Sequence, residues 1–231
     1  ICNMSGLNYI SISNNNFTGG IDCIVDMTNL SYIQAWGNEF GGEIPAGIGN
    51  LTSLTSIDFT QCQLVGEIPS EIGNLTNLRY IHLYDNDLTG EIPTSIGGLT
   101  NLKLLRIQNN NFSGEIPMEM YNLTNLEWLE VGNNQLVGEI PPEIGNLTNL
   151  QILRLHDNYL SGNIPLAICA LNLNWSTPDW DKSDIHNNNL CPPYPLCIAE
   201  YVGEQDCVAN DIIQMGGDIH GEAAGDQSGI S

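Results

Sequence analysis

The side chains of this 231-residue chain with the most chemistry in them are its seven cysteines, four histidines and five basic residues. Cys2 and Cys23 stand near the start, Cys169, Cys191, Cys197 and Cys207 towards the end, and Cys62 alone between them. A zinc centre needs ligand pairs at short CxxC-like spacing. Five residues separate Cys191 from Cys197, so no metal centre is expected there. Cysteines gathered at two ends read instead as disulfide-stapled caps in an oxidising compartment, with Cys2, Cys23, Cys169, Cys191, Cys197 and Cys207 as the candidates. The stretch Asp179-Trp180-Asp181-Lys182-Ser183-Asp184 opens like an EF-hand loop. It has Asp184 where the turn needs Gly and Leu190 where the ion needs Glu, so it reads as a loop. Gly225-Asp226-Gln227-Ser228-Gly229 has the wrong order for a nucleophile motif and no triad around it. No enzymatic activity, catalytic residue, cofactor or metal is expected.

The elements that position these residues come from a repeat. Leu30, Leu54, Leu78, Leu102, Leu126 and Leu150 are spaced by 24, and Leu7 leads them by 23. From each leading Leu the same frame follows, as in Leu102-x-x-Leu105-x-Ile107-x-x-Asn110-x-Phe112-x-Gly114-x-Ile116-Pro117. Seven units fit, and a degenerate eighth puts Ile185, Asn188 and Leu190 in frame after an insertion with Trp175 and Trp180. The alternation Leu105-x-Ile107 predicts a short strand with one buried face. Successive strands stack in parallel about 4.8 Å apart. Gly114 and its equivalents turn the chain, and Pro117 and its equivalents mark the outer arc, where no ladder continues. The run Ile-Gly-Asn-Leu-Thr-Asn-Leu predicts a short 3₁₀ turn. A single unit cannot bury its apolar side, so stacking must do so. Asn15, Asn38, Cys62, Asn86, Asn110, Asn134 and Asn158 form one column of expected buried side chains, amides that satisfy backbone groups. Cys62 in that column is expected to be a free buried thiol. Cys2 and Cys23 lie about one repeat apart and make a reasonable pair, whereas the four C-terminal cysteines allow three pairings.

Charge and hydropathy narrow the partners. The formal charge is −22, from 27 acidic and 5 basic residues, so the general field repels nucleic acid and anionic membranes. No apolar run approaches the roughly 20 residues that span a bilayer. The first residues include no initiator Met and no signal peptide, so the chain reads as a piece of something longer, monomeric, with no membrane insertion of its own.

Repeats such as Gly66-Glu67-Ile68-Pro69-Ser70-Glu71-Ile72-Gly73-Asn74-Leu75-Thr76-Asn77-Leu78 closely resemble the plant-type leucine-rich repeat of receptor-kinase ectodomains, polygalacturonase-inhibiting proteins and many bacterial surface proteins. The resemblance runs from Leu7 to about Asn188, and Asn189–Cys197 looks like the cysteine-bearing ends of those proteins. It implies an α/β-type repeat fold: a right-handed leucine-rich-repeat solenoid with a parallel concave sheet and 3₁₀ turns on the convex side. The expected organisation is an N-terminal cap with the first repeat over residues 1–29, repeats over 30–168 and a C-terminal cap over 169–207. The remaining 208–231 form a linker or the start of an FG-GAP-like repeat.

In such a solenoid the outward strand positions line the concave face. Counting the leading Leu as one, the third position reads Tyr9, Tyr32, Ser56, Tyr80, Leu104, Trp128, Ile152; the fifth, Ser11, Gln34, Asp58, His82, Arg106, Glu130, Arg154; the seventh, Ser13, Trp36, Thr60, Tyr84, Gln108, Gly132, His156. Exposed aromatics with Arg are what binding hot spots use. Tyr32, Trp36, Tyr80, His82, Tyr84, Arg106, Trp128, Glu130, Arg154 and His156 are therefore the candidate ligand-binding residues. Arg106 and Arg154 should stand roughly 10 Å apart, which suits a peptide or an anionic sugar chain. His82 and His156, roughly 14 Å apart, are too distant to share a proton or a metal. The competing structural reading is an Arg106–Glu130–Arg154 ladder that neutralises itself. The expected function is a non-enzymatic recognition or adhesion module, secreted or at the cell surface, that binds protein, peptide or glycan. The alternatives are a spacer or stalk and an ice-binding solenoid that uses the row Thr52, Thr76, Thr100, Thr124 and Thr148. The row Glu43, Glu67, Glu91, Glu115 and Glu139 is expected to be a solvated edge.

Overall fold

A computed structural model describes residues 6–176 and 182–207. The remainder, including Cys2, Trp180 and the Gly-rich tail, lies outside the described residues. Seven three-residue strands, Tyr9–Ser11, Tyr32–Gln34, Ser56–Asp58, Tyr80–His82, Leu104–Arg106, Trp128–Glu130 and Ile152–Arg154, pair in chain order into one sheet. Every pairing is parallel, and equivalent repeat positions face each other, as in Arg106↔Glu130 and Arg154↔Glu130. The three concave columns are thus continuous rows of neighbouring side chains. The middle residue of each strand, such as Leu105 or Leu129, is buried. An isolated bridge from Arg154 to Asp184 adds the eighth unit.

The return half of each repeat is a five-residue 3₁₀ turn, for example Ser70–Asn74 and Met118–Asn122. Six of these turns begin after a proline in extended conformation, and the proline carbonyl accepts the first bond, as from Ile72 N–H to Pro69. The proline thus sets φ and loses no donor that the turn needs. A second parallel sheet, which the repeat frame does not foretell, runs through Val65–Gly66, Asp87–Glu91, Asn111–Glu115 and Gln135–Val137. It forms where each chain straightens after the Asn turn. Gly90 (φ +77°) and Gly114 (φ +74°) stand inside it. A Cβ on Gly114 would come 2.8 Å from Glu91 Cγ, so the glutamate stems lie over the glycines of the next repeat while their carboxylates remain exposed.

The Asn column holds the turns. Asn86, Asn110, Asn134, Asn158 and Asn188 each donate through Nδ2 to three backbone carbonyls. Each also accepts through Oδ1 from an amide of the preceding repeat. Asn15 departs from the expected burial: it is exposed and reaches only carbonyls of its own turn, at Ile12 and Ser13. Among the described residues no earlier turn stands within its reach.

Cys62 takes the column's role with its thiol, which approaches the carbonyls of Ala35 and Thr60 at 3.2 and 3.4 Å. It is the free cysteine among the described residues. Burial pushes this thiol up to about 11, from 9.0, which leaves about 100-fold less thiolate at any given pH below both values. Native protein at pH 8 is therefore expected to resist iodoacetamide at Cys62, with at least about 100-fold slower labelling than in denaturant. Equal labelling rates would contradict the burial.

The C-terminal cap resolves the pairing left open by spacing. Cys169 bonds Cys197 and Cys191 bonds Cys207, with Cα separations of 5.8 and 5.1 Å. Cys23 is disulfide-bonded as well. Among the described residues no helix is long and apolar enough to cross a membrane.

Candidate functional site

The concave columns are less open than their sequence suggests, because each side chain leans on its neighbour one strand away. Ser56, Thr60, Gln108, Glu130 and Ile152 are buried, and most of the others are half-buried. The predicted residues fall into two groups. At the N-terminal end Tyr32 stacks on Tyr9, ring centroids 4.9 Å apart. From the fourth repeat onward the candidates merge into one network.

Glu130 is the centre of that network. Its side chain keeps 5% exposure and accepts from Arg106 Nε at 2.8 Å, Arg154 Nη1 at 2.8 Å and Trp128 Nε1 at 3.2 Å. The ladder of the competing structural reading is therefore present, and Glu130 works as an internal counter-ion and not as an outward contact. Two guanidiniums flank this carboxylate, and the same column carries Asp58 beyond His82 and Asp184 beyond Arg154. Arg106 lies 4.7 Å from the Tyr84 ring and 5.5 Å from Trp128, and Arg154 lies 5.6 Å from Trp128. The cations are thus held over aromatic rings, an arrangement that orients guanidinium while it stays charged. Arg154 also donates through Nε to the Lys182 carbonyl at 2.9 Å.

His82 packs edge-on to Tyr84, centroids 6.4 Å apart. Burial holds its imidazole below the usual range; the Arg106 charge adds to this, and Asp58 and Glu130 oppose it. Tyr80 and Trp128 line a recess of about 250 Å³ with Lys103, Leu104, Glu127 and Ile152. Lys103 and Glu127 close one side through a 2.6 Å ion pair. All five basic residues of the chain, Arg79, Lys103, Arg106, Arg154 and Lys182, stand on or beside these strands in the fourth to eighth units.

Residues of the eighth unit were missed by reading the three columns over seven units only. The Arg154–Asp184 bridge continues the fifth position to Asp184 and the seventh to His186. The frame residues Ile185 and Asn188 carry that register in the sequence itself. His186 stacks on His156, centroids 5.3 Å apart and planes 7° apart. Asp157 sits between them at φ +53°, a left-handed position at which short polar residues are tolerated. Burial disfavours its ionised form. The hydrogen bonds from Asn187 and His156 and the charge of both imidazoles outweigh this and hold the carboxyl below the usual range. The distance between His82 and His156 is unaffected by this grouping, and those two remain apart along the sheet.

Comparison with known proteins places this geometry. The plant peptide hormone receptor RGFR1, in complex with RGF2, superposes with a TM-score of 0.74 at 39% identity over 78% of this chain. PEPR1 with AtPEP1 gives 0.79 at 30% identity over 89%. The Arabidopsis receptor kinase HAESA ectodomain with an IDA peptide hormone gives 0.77 at 35% over 83%. This chain spans only 28%, 29% and 31% of those three chains. No curated protein matches by sequence. The family model described as "Leucine-rich repeat region" matches residues 14–131 and 57–172. That frame, the stacked parallel strands and the 3₁₀ turns together show that the chain belongs to the leucine-rich repeat family, with repeats of the plant type.

Proposed function

We propose that this chain is a non-enzymatic recognition module of an extracytoplasmic protein, and that its concave face binds a peptide bearing an acidic side chain or a free carboxylate. The observation that carries the reading is the Arg106–Trp128–Arg154 surface. In a chain of charge −22 every basic residue is gathered on one side of the fourth to eighth units, beside exposed or half-buried Tyr80, Tyr84 and Trp128. Two guanidiniums held over aromatic rings and spaced by a shared carboxylate keep N–H donors suited to bidentate recognition of an oxyanion. The peptides present in the solved relatives support a peptide over a glycan. The stapled caps support an oxidising, extracytoplasmic setting. Tyr32 and Trp36 would serve a second contact region, towards the N-terminal repeats.

The test is a screen on peptide and glycan arrays, followed by titration of the binders. Arg106→Ala, Trp128→Ala and Arg154→Ala are each expected to weaken an acidic peptide by roughly 30-fold, the effect of a hot-spot residue worth about 2 kcal/mol. Binding of glycans alone would replace the peptide assignment. No binder would support the spacer reading instead, and a binder indifferent to all three changes would overturn the assignment of the site.

A further inference from the structure

The repeat seam between the seventh unit and the C-terminal cap brings together three side chains with ligand atoms of the kind borderline divalent metals prefer. His156, Asp157 and His186 each offer one such atom, all within 4.8 Å of one another. Asp157 Oδ2 is 2.9 Å from His156 Nδ1 and 3.7 Å from His186 Nε2. Four-coordinate zinc, with bonds of about 2.0–2.2 Å, sets its ligand atoms about 3.3 Å apart, so the two Asp157 edges already bracket that spacing, while the His156–His186 edge, within 4.8 Å, must shorten and one of the stacked imidazoles must turn to aim both nitrogens at one ion.

The surroundings orient this group. His186 directs Nδ1 at Asp184 Oδ1, 2.5 Å away, and its backbone N–H also bonds that oxygen. With Nδ1 protonated towards Asp184, Nε2 presents a lone pair towards the Asp157 carboxylate. Two electron-rich atoms 3.7 Å apart favour a cation between them, and a carboxylate behind a histidine fixes the tautomer that a metal requires. The remaining oxygen of Asp157 accepts from Asn187 Nδ2 at 2.7 Å, which fixes the carboxylate. A Cβ on Gly132 would stand 2.6 Å from His156 Nε2, so the imidazole lies over a glycine and is held from below. His186 also lines an open recess of about 490 Å³ with Trp175, Lys182 and Tyr201, which leaves room for water on a bound ion.

We infer that His156, Asp157 and His186 form a binding site for a divalent transition metal of the Zn²⁺ type, with Asp184 as the carboxylate that orients His186. The site departs from the expectation of no metal, which rested on the cysteines and on His82 with His156. It clasps the last full repeat to the cap, and it does not depend on the peptide reading.

Untagged, disulfide-intact protein is titrated with Zn²⁺ under excess Mg²⁺, which occupies general carboxylate sites, with no peptide present. Uptake is expected to saturate at one ion per chain. His156→Ala and His186→Ala are expected to weaken it by about 100-fold or more, and Asp184→Asn by about 10-fold, the usual cost of losing an orienting partner. Asp85→Asn, at the same turn position three repeats earlier, should leave uptake unchanged. Cu²⁺ in place of Zn²⁺ should give an electron paramagnetic resonance spectrum with two imidazole nitrogens, lost in the double histidine variant. Circular dichroism verifies that each variant is folded. Absence of one-to-one uptake by the wild type, or uptake that survives in a folded double variant, overturns the site.

Discussion

Replacement of Asn110 by alanine is expected to lower stability by about 3 kcal/mol, the sum of partial losses at several buried backbone groups. The side chain is 8% exposed and sits in the middle of the array. Its Nδ2 bonds the carbonyls of Leu83, Ile107 and Gln108 at 3.0–3.2 Å, and its Oδ1 accepts from Leu88 N–H at 3.0 Å. Alanine leaves the Leu88 donor buried with no acceptor and removes the tie between two consecutive turns. Because each repeat touches only its neighbours, the damage should split the array, and urea unfolding should become broader as well as earlier. Asn15→Ala is the internal comparison. Asn15 is exposed and braces only its own turn, so its loss should cost well under about 1 kcal/mol. Equal costs at the two positions would mean that inter-repeat bracing is not what the column provides.

Glu130→Ala is the second large effect, and it separates geometry from charge. Breaking a buried ion pair costs about 3–5 kcal/mol. Arg106 and Arg154 keep 25% and 13% of their side-chain surface and can turn towards water, so about 2 kcal/mol is expected from chemical denaturation. The change also removes one negative charge from the concave face. If charge alone attracted an acidic peptide, affinity would rise. The expected result is a fall of about 10-fold or more, because both guanidiniums lose the anchor that sets their spacing and must be ordered again on binding. A rise in affinity would show that the face acts as a diffuse positive field. Glu130→Gln keeps the shape and both acceptor directions in part, and should lie between.

Much of this protein was written in its periodicity. The strand positions, the 3₁₀ turns after proline and the Asn column follow from a frame that recurs with few exceptions, since a period-two alternation and a fixed spacing admit only one way of stacking. The concave columns were also correct in their membership, as the pairings Arg106↔Glu130 and Arg154↔Glu130 show. The burial of Glu130 was not readable, because it depends on how two arginines and Trp128 close over it. The second sheet was hidden as well: the segments Asp87–Glu91 and Asn111–Glu115 show no alternation strong enough to announce a strand, and they become one only when a neighbour supplies the ladder.

The sequence by itself determined the repeat, the identity of the C-terminal cap cysteines and the strand columns of the seven full repeats, because these depend on local spacing alone. Tertiary structure decided which cysteines pair, since Cys169–Cys197 and Cys191–Cys207 are chosen by the path of the cap and not by separation along the chain. It decided that Asn15 is exposed while Asn110 is buried, because the described residues place a repeat on each side of Asn110 and on one side of Asn15. It also decided that His186, 30 residues after His156, lies against it. An insertion between the seventh and eighth units breaks the 24-residue count, and only the closing of the solenoid restores the register across it.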